Sequence, residues 1–226
     1  MKFRHEQKFL IEYDTYARIR SSLKQCMTLD ANSVEGLGYH IRSLYFDDMF
    51  ESSLHEKLSG IVNRKKYRVR IYNYSQDTIK LEIKRKFNDY TNKVATTIQR
   101  EEFERIYNAD VSDLAFTDDS VKMSYYLEMR NNLLRPKVIV DYYREAFVLP
   151  YNEIRVTFDT QLSAAKPRMD IFSDRIHSVA LPPCYSLILE VKYNNFLPSH
   201  IKTILERYDL TRLSVSKFLL CRDRIQ

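Results

Sequence analysis

Charged residues in this chain recur at every second position in several separate segments. Residues 2–12 read KFRHEQKFLIE, with Arg4, Glu6, Lys8 and Leu10 on one parity and Phe3, His5, Gln7, Phe9 and Ile11 on the other. Arg68 and Arg70 share a parity, as do Lys80, Glu82, Lys84 and Lys86, and also Glu190 and Lys192. Arg144 and Arg155 stand singly among apolar and aromatic neighbours. A helix would scatter such sets around its surface, whereas a strand puts i and i+2 on one face, roughly 7 Å apart. The pattern therefore calls for strands with one charged and one apolar face, the latter carrying Val69, Ile71, Leu81, Ile83, Leu189 and Val191.

Further strand-like runs occupy 39–46, 65–74, 78–86, 93–99, 136–149, 153–162 and 185–193. Helical periodicity marks 13–29, with Tyr16, Ile19, Leu23 and Met27 on one face, and also 101–108, 119–134, 199–208 and 212–224. Hairpin-like spacing through 65–99 and 136–162 predicts antiparallel pairing. With about eight strands, closure into a barrel would remove exposed edges. The expected fold is α+β: an antiparallel β-barrel or tunnel with flanking helices and a C-terminal helix. No linker, repeat or low-complexity stretch divides residues 1–226, so one domain is expected.

If 101–108 and 119–134 cover the apolar face, the charged face turns inward. Buried cations need counter-charge, water or an anionic ligand, since each costs several kcal/mol alone. Here Arg and Lys outnumber the interleaved carboxylates Glu6, Glu82 and Glu190. A phosphate chain fits that excess, because Arg grips phosphate oxygens bidentately and Lys acts as a point charge. The three Glu are candidate ligands for Mg²⁺ or Mn²⁺, which take carboxylates plus substrate phosphates. For Glu82, charge balance to the adjacent lysines is an equal alternative.

Several function classes recede. Three glycines and no GxxxxGK[ST] or GxGxxG argue against a Gly-rich phosphate loop. Cys26, Cys184 and Cys221 form no CxxC pair and read as structural thiols. The net charge of +6 and pI of about 9.1 point to an anionic partner. Nucleic acid is disfavoured, because the 17 tyrosines lie on predicted strands and helices rather than in RNP-type motifs. The five histidines show no metal-ligand spacing, Arg64-Lys65-Lys66 reads as a solvated turn with a place at the tunnel rim as the alternative, and Tyr125-Tyr126 and Tyr142-Tyr143 read as packing. With no secretion-signal h-region and no apolar run near the roughly 20 residues that span a bilayer, a cytoplasmic protein is expected.

In order and spacing these segments resemble the triphosphate tunnel metalloenzymes, and within them the catalytic domain of the vacuolar transporter chaperone (VTC) polyphosphate polymerases. The likeness spans about residues 3–222. Arg4-His5-Glu6-Gln7-Lys8 stands where that superfamily has ExExK, with Arg4 replacing the first acid as in the polymerase branch. SLYFDD at 43–48, KLSG at 57–60, RVR at 68–70, LEIK at 81–84, YYREAF at 142–147, EIRVTFDT at 153–160, LILEVKY at 187–193 and SVSKF at 214–218 follow in family order.

The resemblance implies transfer of the ATP γ-phosphate to a polyphosphate chain, with Mn²⁺ or Mg²⁺. It implies that Arg68, Arg70, Lys84, Arg144 and Arg155 hold phosphates, and that Lys8 and Lys217 grip terminal or leaving phosphates beside Lys192. Lys57, Lys93 and Ser216 would line the substrate path. Glu190 would hold the metal, with Glu82 and Glu6 as further ligands. Alternatives in the same tunnel are a triphosphatase and a non-catalytic polyphosphate sensor. Polymerases of this kind work with a membrane partner, so a separate membrane protein and a place at the cytosolic face of a membrane are implied.

Overall fold

The computed structural model describes residues 5–87, 90–185 and 187–225; Arg4 and Phe3 of the first alternating segment lie outside these. The strands are β1 (His5–Leu10), β2 (Thr28–Leu29), β3 (Tyr39–Asp47), β4 (Asn63–Tyr72), β5 (Ile79–Phe87), β6 (Tyr90–Ile98), β7 (Arg135–Leu149), β8 (Ile154–Ala165), β9 (Ser178–Ala180) and β10 (Ile188–Tyr193). The helices are α1 (Tyr13–Leu23), α2 (Ser52–Leu58), α3 (Arg100–Tyr107), α4 (Ser120–Asn131), α5 (Ser199–Glu206) and α6 (Lys217–Arg224). All strand pairs are antiparallel, in the order β1-β10-β8-β7-β3-β4-β5-β6, with β2 added to β7 and β9 to β8.

The sheet curls so that its charged face is concave. Its convex face is covered as the alternation requires. Val69, Ile71, Leu81 and Ile83 pack with Phe103 and Ile106 of α3 and Val121, Tyr125 and Met129 of α4. Phe9, Val156, Phe158, Leu189 and Val191 pack with Ile19 and Leu23 of α1 and Ile201 and Leu205 of α5. Helices thus take the place that solvent holds on an ordinary one-sided sheet.

Closure is partial. Among the described residues no backbone ladder joins β1 to β6. The gap is bridged by side chains: Lys84 Nζ on β5 lies 3.3 Å from both carboxylate oxygens of Glu6 on β1. Nor is the concave face charged throughout. Val138, Val140 and Tyr142 of β7 and Leu162 and Ala164 of β8 form an apolar floor on which Phe218 and Cys221 of α6 rest. The C-terminal helix therefore fills part of the interior, and the charged cavity is what remains.

Some boundaries differ from the sequence pattern. The first helix ends at Leu23 because Thr28 and Leu29 pair with Val148 and Phe147. Helix α6 starts only at Lys217, where the Ser216 side chain accepts from the Leu219 amide and caps it. The short α2 and β9 were not expected. Two aspartates nucleate α2: Asp47 accepts from the amides of Ser53 and Leu54, and Asp48 from those of Phe50 and Ser52. Gly38, at φ +103°, lets the chain enter β3 against β7; a Cβ there would lie 2.3 Å from the Arg144 carbonyl oxygen.

Candidate functional site

The concave face encloses a cavity of about 920 Å³. Strand register explains how its walls are built. Arg64, Lys66, Arg68, Arg70 and Tyr72 follow at every second position of β4 and all line it. Lys84 of β5 and Lys93 of β6 are direct register partners. On the other wall, Lys8 pairs in register with Glu190, and Lys192 with Arg155. Lys8, Lys57, Arg68, Arg70, Lys84, Lys93, Arg144, Arg155, Lys192, Ser216, Lys217, Glu6 and Glu190 all reach the cavity. Glu82 does not line it. It lies 1% exposed behind the arginines, accepting from Arg68 Nε at 2.6 Å and Lys93 Nζ at 2.8 Å. Lys80 also turns aside, donating to Thr97 Oγ1.

Glu82, Asp159, Glu190 and Glu6 are each shared among two or more cations. Glu82 serves Arg68 and Lys93, with Arg70 at 3.9 Å. Asp159, fully buried, takes a bidentate pair from Arg144 at 2.6 and 2.7 Å and the Lys217 ammonium at 2.6 Å. Glu190 takes Lys192 at 2.5 Å and Lys8 at 4.0 Å; Glu6 takes Lys8 at 2.9 Å and Lys84 at 3.3 Å. Arg155 bonds Asp30 at 2.6 Å and donates to the Tyr39 hydroxyl at 2.7 Å. Such sharing leaves the walls net positive while each of these carboxylates keeps a cationic partner.

The titration behaviour follows. Burial and the neighbouring Glu190 push the Glu6 carboxyl up, but Lys84, Lys8 and Lys192 outweigh them and hold it at about 2. Burial likewise opposes ionisation of Asp159, and Arg144 and Lys217 bring it to about 2. Glu190 lies well below the usual carboxylate range, because Lys192, Lys8 and Lys217 overcome its burial. The ammonium groups without enough counter-charge go the other way. Burial, followed by Lys84, Lys57, Lys8 and Arg64, lowers Lys66 to about 7. Burial and the nearby Lys8 and Lys192 lower Lys84 to about 7, despite Glu6 and Glu190.

A divalent cation can be accommodated. Glu6 and Glu190 face one another across Lys8, and both reach the cavity. On β8, Thr157 pairs in register with Glu190, and its Oγ1 is buried with no hydrogen-bond partner among the described residues. That leaves an oxygen site beside the carboxylate. Among the described residues no group of three or more His, Cys, Asp and Glu could hold a metal by itself. An oxygen-only set of two carboxylates suits Mg²⁺ or Mn²⁺ with the remaining ligands supplied by phosphate and water.

Several lining residues were read first for other roles. Lys66 and Arg64 belong to β4 and line the cavity; only Lys65 faces outward, toward Glu128 at 3.7 Å. The strand expected from residue 65 begins at Asn63, so the cluster read as a solvated turn is strand, and the alternative place along the cavity is the one Arg64 and Lys66 take. Tyr142, expected only to pack, also lines the cavity and accepts from Arg70 at 3.4 Å. Tyr125 does pack, at 0% exposure. Asp159 was not singled out, although it shares the parity of Arg155.

The model of the VTC domain family matches residues 3–224. None of the curated proteins matches the chain at a significant level. Among solved structures, a candidate adenylate cyclase of Bacillus halodurans superposes with a TM-score of 0.55 at 13% identity, covering 95% of this chain and 94% of that one. A second candidate adenylate cyclase, from Vibrio parahaemolyticus, gives 0.51 at 12% identity and 95% of each chain. A chain of the Schizosaccharomyces pombe Mediator head module gives 0.54 at 9% identity, covering 93% of this chain and all of that one. At such identities the likeness establishes the tunnel-type fold, and chemistry has to be argued from the cavity. No described helix is long and apolar enough to cross a membrane.

Proposed function

The chain belongs to the VTC domain family, and from that premise we propose that it is a metal-dependent polyphosphate polymerase, moving the γ-phosphoryl group of ATP onto a polyphosphate chain held in the cavity. The observation that carries this reading is the composition of the cavity wall. Cations from seven strands and two helices converge there, with Glu6 and Glu190 as the surface carboxylates. Such a wall suits a flexible polyanion better than a compact neutral substrate.

In the proposed reaction a terminal oxygen of the acceptor chain attacks the γ-phosphorus. The bond to the β–γ bridging oxygen breaks, and ADP leaves. The transition state is loose, and its catalysis is positioning and charge stabilisation rather than covalent attack by the protein. Arg68 and Arg70 are held rigid by Glu82, Tyr45 and Ser43. Arg144 and Lys217 are fixed by Asp159. These anchored cations would align the phosphates without reorganising during the reaction. Lys84 and Lys93 would add charge from the wall that carries Arg68 and Arg70, Lys57 and Ser216 would line the path, and Lys8 and Lys192 would flank the cation site formed by Glu6 and Glu190. A divalent cation there would neutralise charge on the transferring phosphoryl and the leaving diphosphate.

The test is incubation of the pure protein with ATP and Mn²⁺, with and without a short polyphosphate primer, followed by gel separation. A ladder of long polyphosphate with ADP is the expected result. Free phosphate without a ladder would replace the polymerase by a triphosphatase. Absence of turnover alongside tight tripolyphosphate binding would replace it by a binding protein. A membrane protein partner and attachment at the cytosolic face of a membrane belong to the same reading. They would be tested by recovery of an integral protein with the tagged chain from membranes.

A further inference from the structure

The segment that leads into α6 holds two hydroxyls against lysine amines. Its course is fixed on β1: Arg212 bridges to Phe9, and the Leu213 amide donates to the Lys8 carbonyl at 2.9 Å. From there Ser214 and Ser216 both reach the cavity. Lys57 Nζ donates to the Ser214 hydroxyl at 2.6 Å, and Lys66 Nζ to the Ser216 hydroxyl at 3.1 Å. Ser216 also caps α6, accepting from the Leu219 amide at 3.4 Å. The next residue, Lys217, is tied to Asp159 at 2.6 Å, and its charge helps to hold Glu190 ionised. Ser216 thus adjoins the cations and the carboxylate assigned above to the reacting phosphates.

A lysine amine bonded to a serine hydroxyl activates it as a nucleophile, provided the amine can be neutral. Lys66 has no ion pair among the described residues. Lys84 of β5, Lys57 of α2 and Lys8 of β1 act on it, with Arg64 on its own strand, and α6 presents Ser216 and the Phe218 ring, whose centroid lies 4.3 Å from Nζ. Burial and those four cations bring the amine to about 7, so a neutral fraction is present near neutral pH.

We propose that Ser216 is itself a phosphoryl acceptor: it takes the γ-phosphoryl group of ATP, with Lys66 as its base, and serves as the first acceptor when no primer is supplied. The proposal rests on the function proposed above and names the group that starts the reaction. Ser216 Oγ forms a bond to the γ-phosphorus. The bond from that phosphorus to the β–γ bridging oxygen breaks, its electron pair leaves with ADP, and the hydroxyl proton passes to Lys66 Nζ. The product suits its place. A phosphoserine at the N-terminus of α6 gains charge-assisted hydrogen bonds from the helix amides and from Lys66, now protonated. Its outer oxygens then stand in for the end of an acceptor chain.

The experiment incubates the wild type with γ-labelled ATP and Mn²⁺ without primer and quenches in acid. Phosphopeptide mass spectrometry locates the label, and a gel of the same samples shows polyphosphate. Label on Ser216 is expected in the wild type, and none in Glu190→Gln. Lys66→Arg keeps the charge but cannot give up its proton. It is expected to slow labelling of Ser216 roughly a hundredfold, while ATP binding, followed by calorimetry, is retained. Ser216→Thr keeps the hydroxyl and the helix cap and is expected to be labelled. Ser216→Ala is expected to lose far more of its unprimed than of its primed synthesis.

A ladder from wild-type protein whose Ser216 carries no label would overturn this inference alone. Label on Ser216 in Glu190→Gln would overturn it too, because the phosphate would then come from a contaminating kinase. Labelling of Lys66→Arg at the wild-type rate would overturn the role of Lys66 as base. Label on Ser216 without a ladder would uphold the acceptor and end the polymerase reading, and neither label nor ladder would end both.

Discussion

At the scale of single residues, the cavity separates groups that hold charge firmly from groups that can exchange a proton. Glu190 is buried, ionised and bound to Lys192 and Lys8. Glu190→Gln keeps the shape and removes the charge. It is expected to abolish metal-dependent phosphoryl transfer while tripolyphosphate binding, followed by calorimetry, persists or tightens. Lys66 belongs to the second group. Its ordinary value of 10.5 falls to about 7 in the folded protein. Between those values the unfolded chain holds a proton that the folded protein lacks. Lys66 therefore opposes folding there, and stability rises with pH across that window. A polyanion beside the amine restores the proton. Binding of tripolyphosphate at about pH 8 is thus expected to take up protons, read from enthalpies in buffers of different ionisation heat, and Lys66→Met is expected to reduce the uptake. Parity made most site residues legible in the sequence. Lys66 was not, because its neighbours Arg64 and Lys65 are basic too and three cations in a row obscure which one faces in. Asp159 went unnoticed because one acid in an apolar strand gives no hint that two distant cations meet it.

At the scale of elements, what makes the charged face an interior is the helices outside. Tyr125 of α4 shows how. It is wholly buried, sits edge-on to Tyr67 and Phe46, and donates to the Glu82 carbonyl at 3.2 Å. It ties α4 to the strand that carries the buried carboxylate of the arginine pair. Tyr125→Phe removes one hydrogen bond and is expected to cost about 1 kcal/mol in denaturant unfolding. Tyr125→Ala leaves a cavity and is expected to cost about 3–5 kcal/mol. The long strands and the covering helices were visible as periods of 2 and 3.6, and they fall within a few residues of their expected ranges. Elements stabilised by distant partners were hidden. Residues 28–29 are a strand because β7 lies beside them, and α2 forms around two aspartates that also end β3. The apolar floor under α6 was hidden too, since Val138 and Val140 on the lumen side look like core from sequence and become so only when α6 lands on them.

At the scale of the whole molecule, closure of the tunnel depends on charge. The two ends of the curled sheet meet through Lys84 and Glu6, where a barrel would have a backbone ladder. Around that seam the walls carry more cations than carboxylates, and their repulsion favours an open sheet. An anion that fills the cavity reverses the balance. Tripolyphosphate at about a hundred times its dissociation constant is expected to stabilise the fold by about 2.7 kcal/mol. The accompanying rise in Tm is expected to exceed that from sodium chloride of equal ionic strength, as differential scanning fluorimetry would show. Equal shifts would mean that the gain comes from general screening rather than from a bound polyanion.

The alternation along β4 also governs how this protein can change. Arg64, Lys66, Arg68, Arg70 and Tyr72 face the cavity, while Tyr67, Val69 and Ile71 between them belong to the core. Selectivity can be retuned by exchanging the even positions of β4 alone, and the packed layer behind does not register the change. The insertion or deletion of one residue exchanges the two sets at once, sending cations into the helix layer and aliphatics into the lumen. Variation in such a lineage should therefore accumulate as same-parity substitutions within strands, with length changes confined to the connections between them.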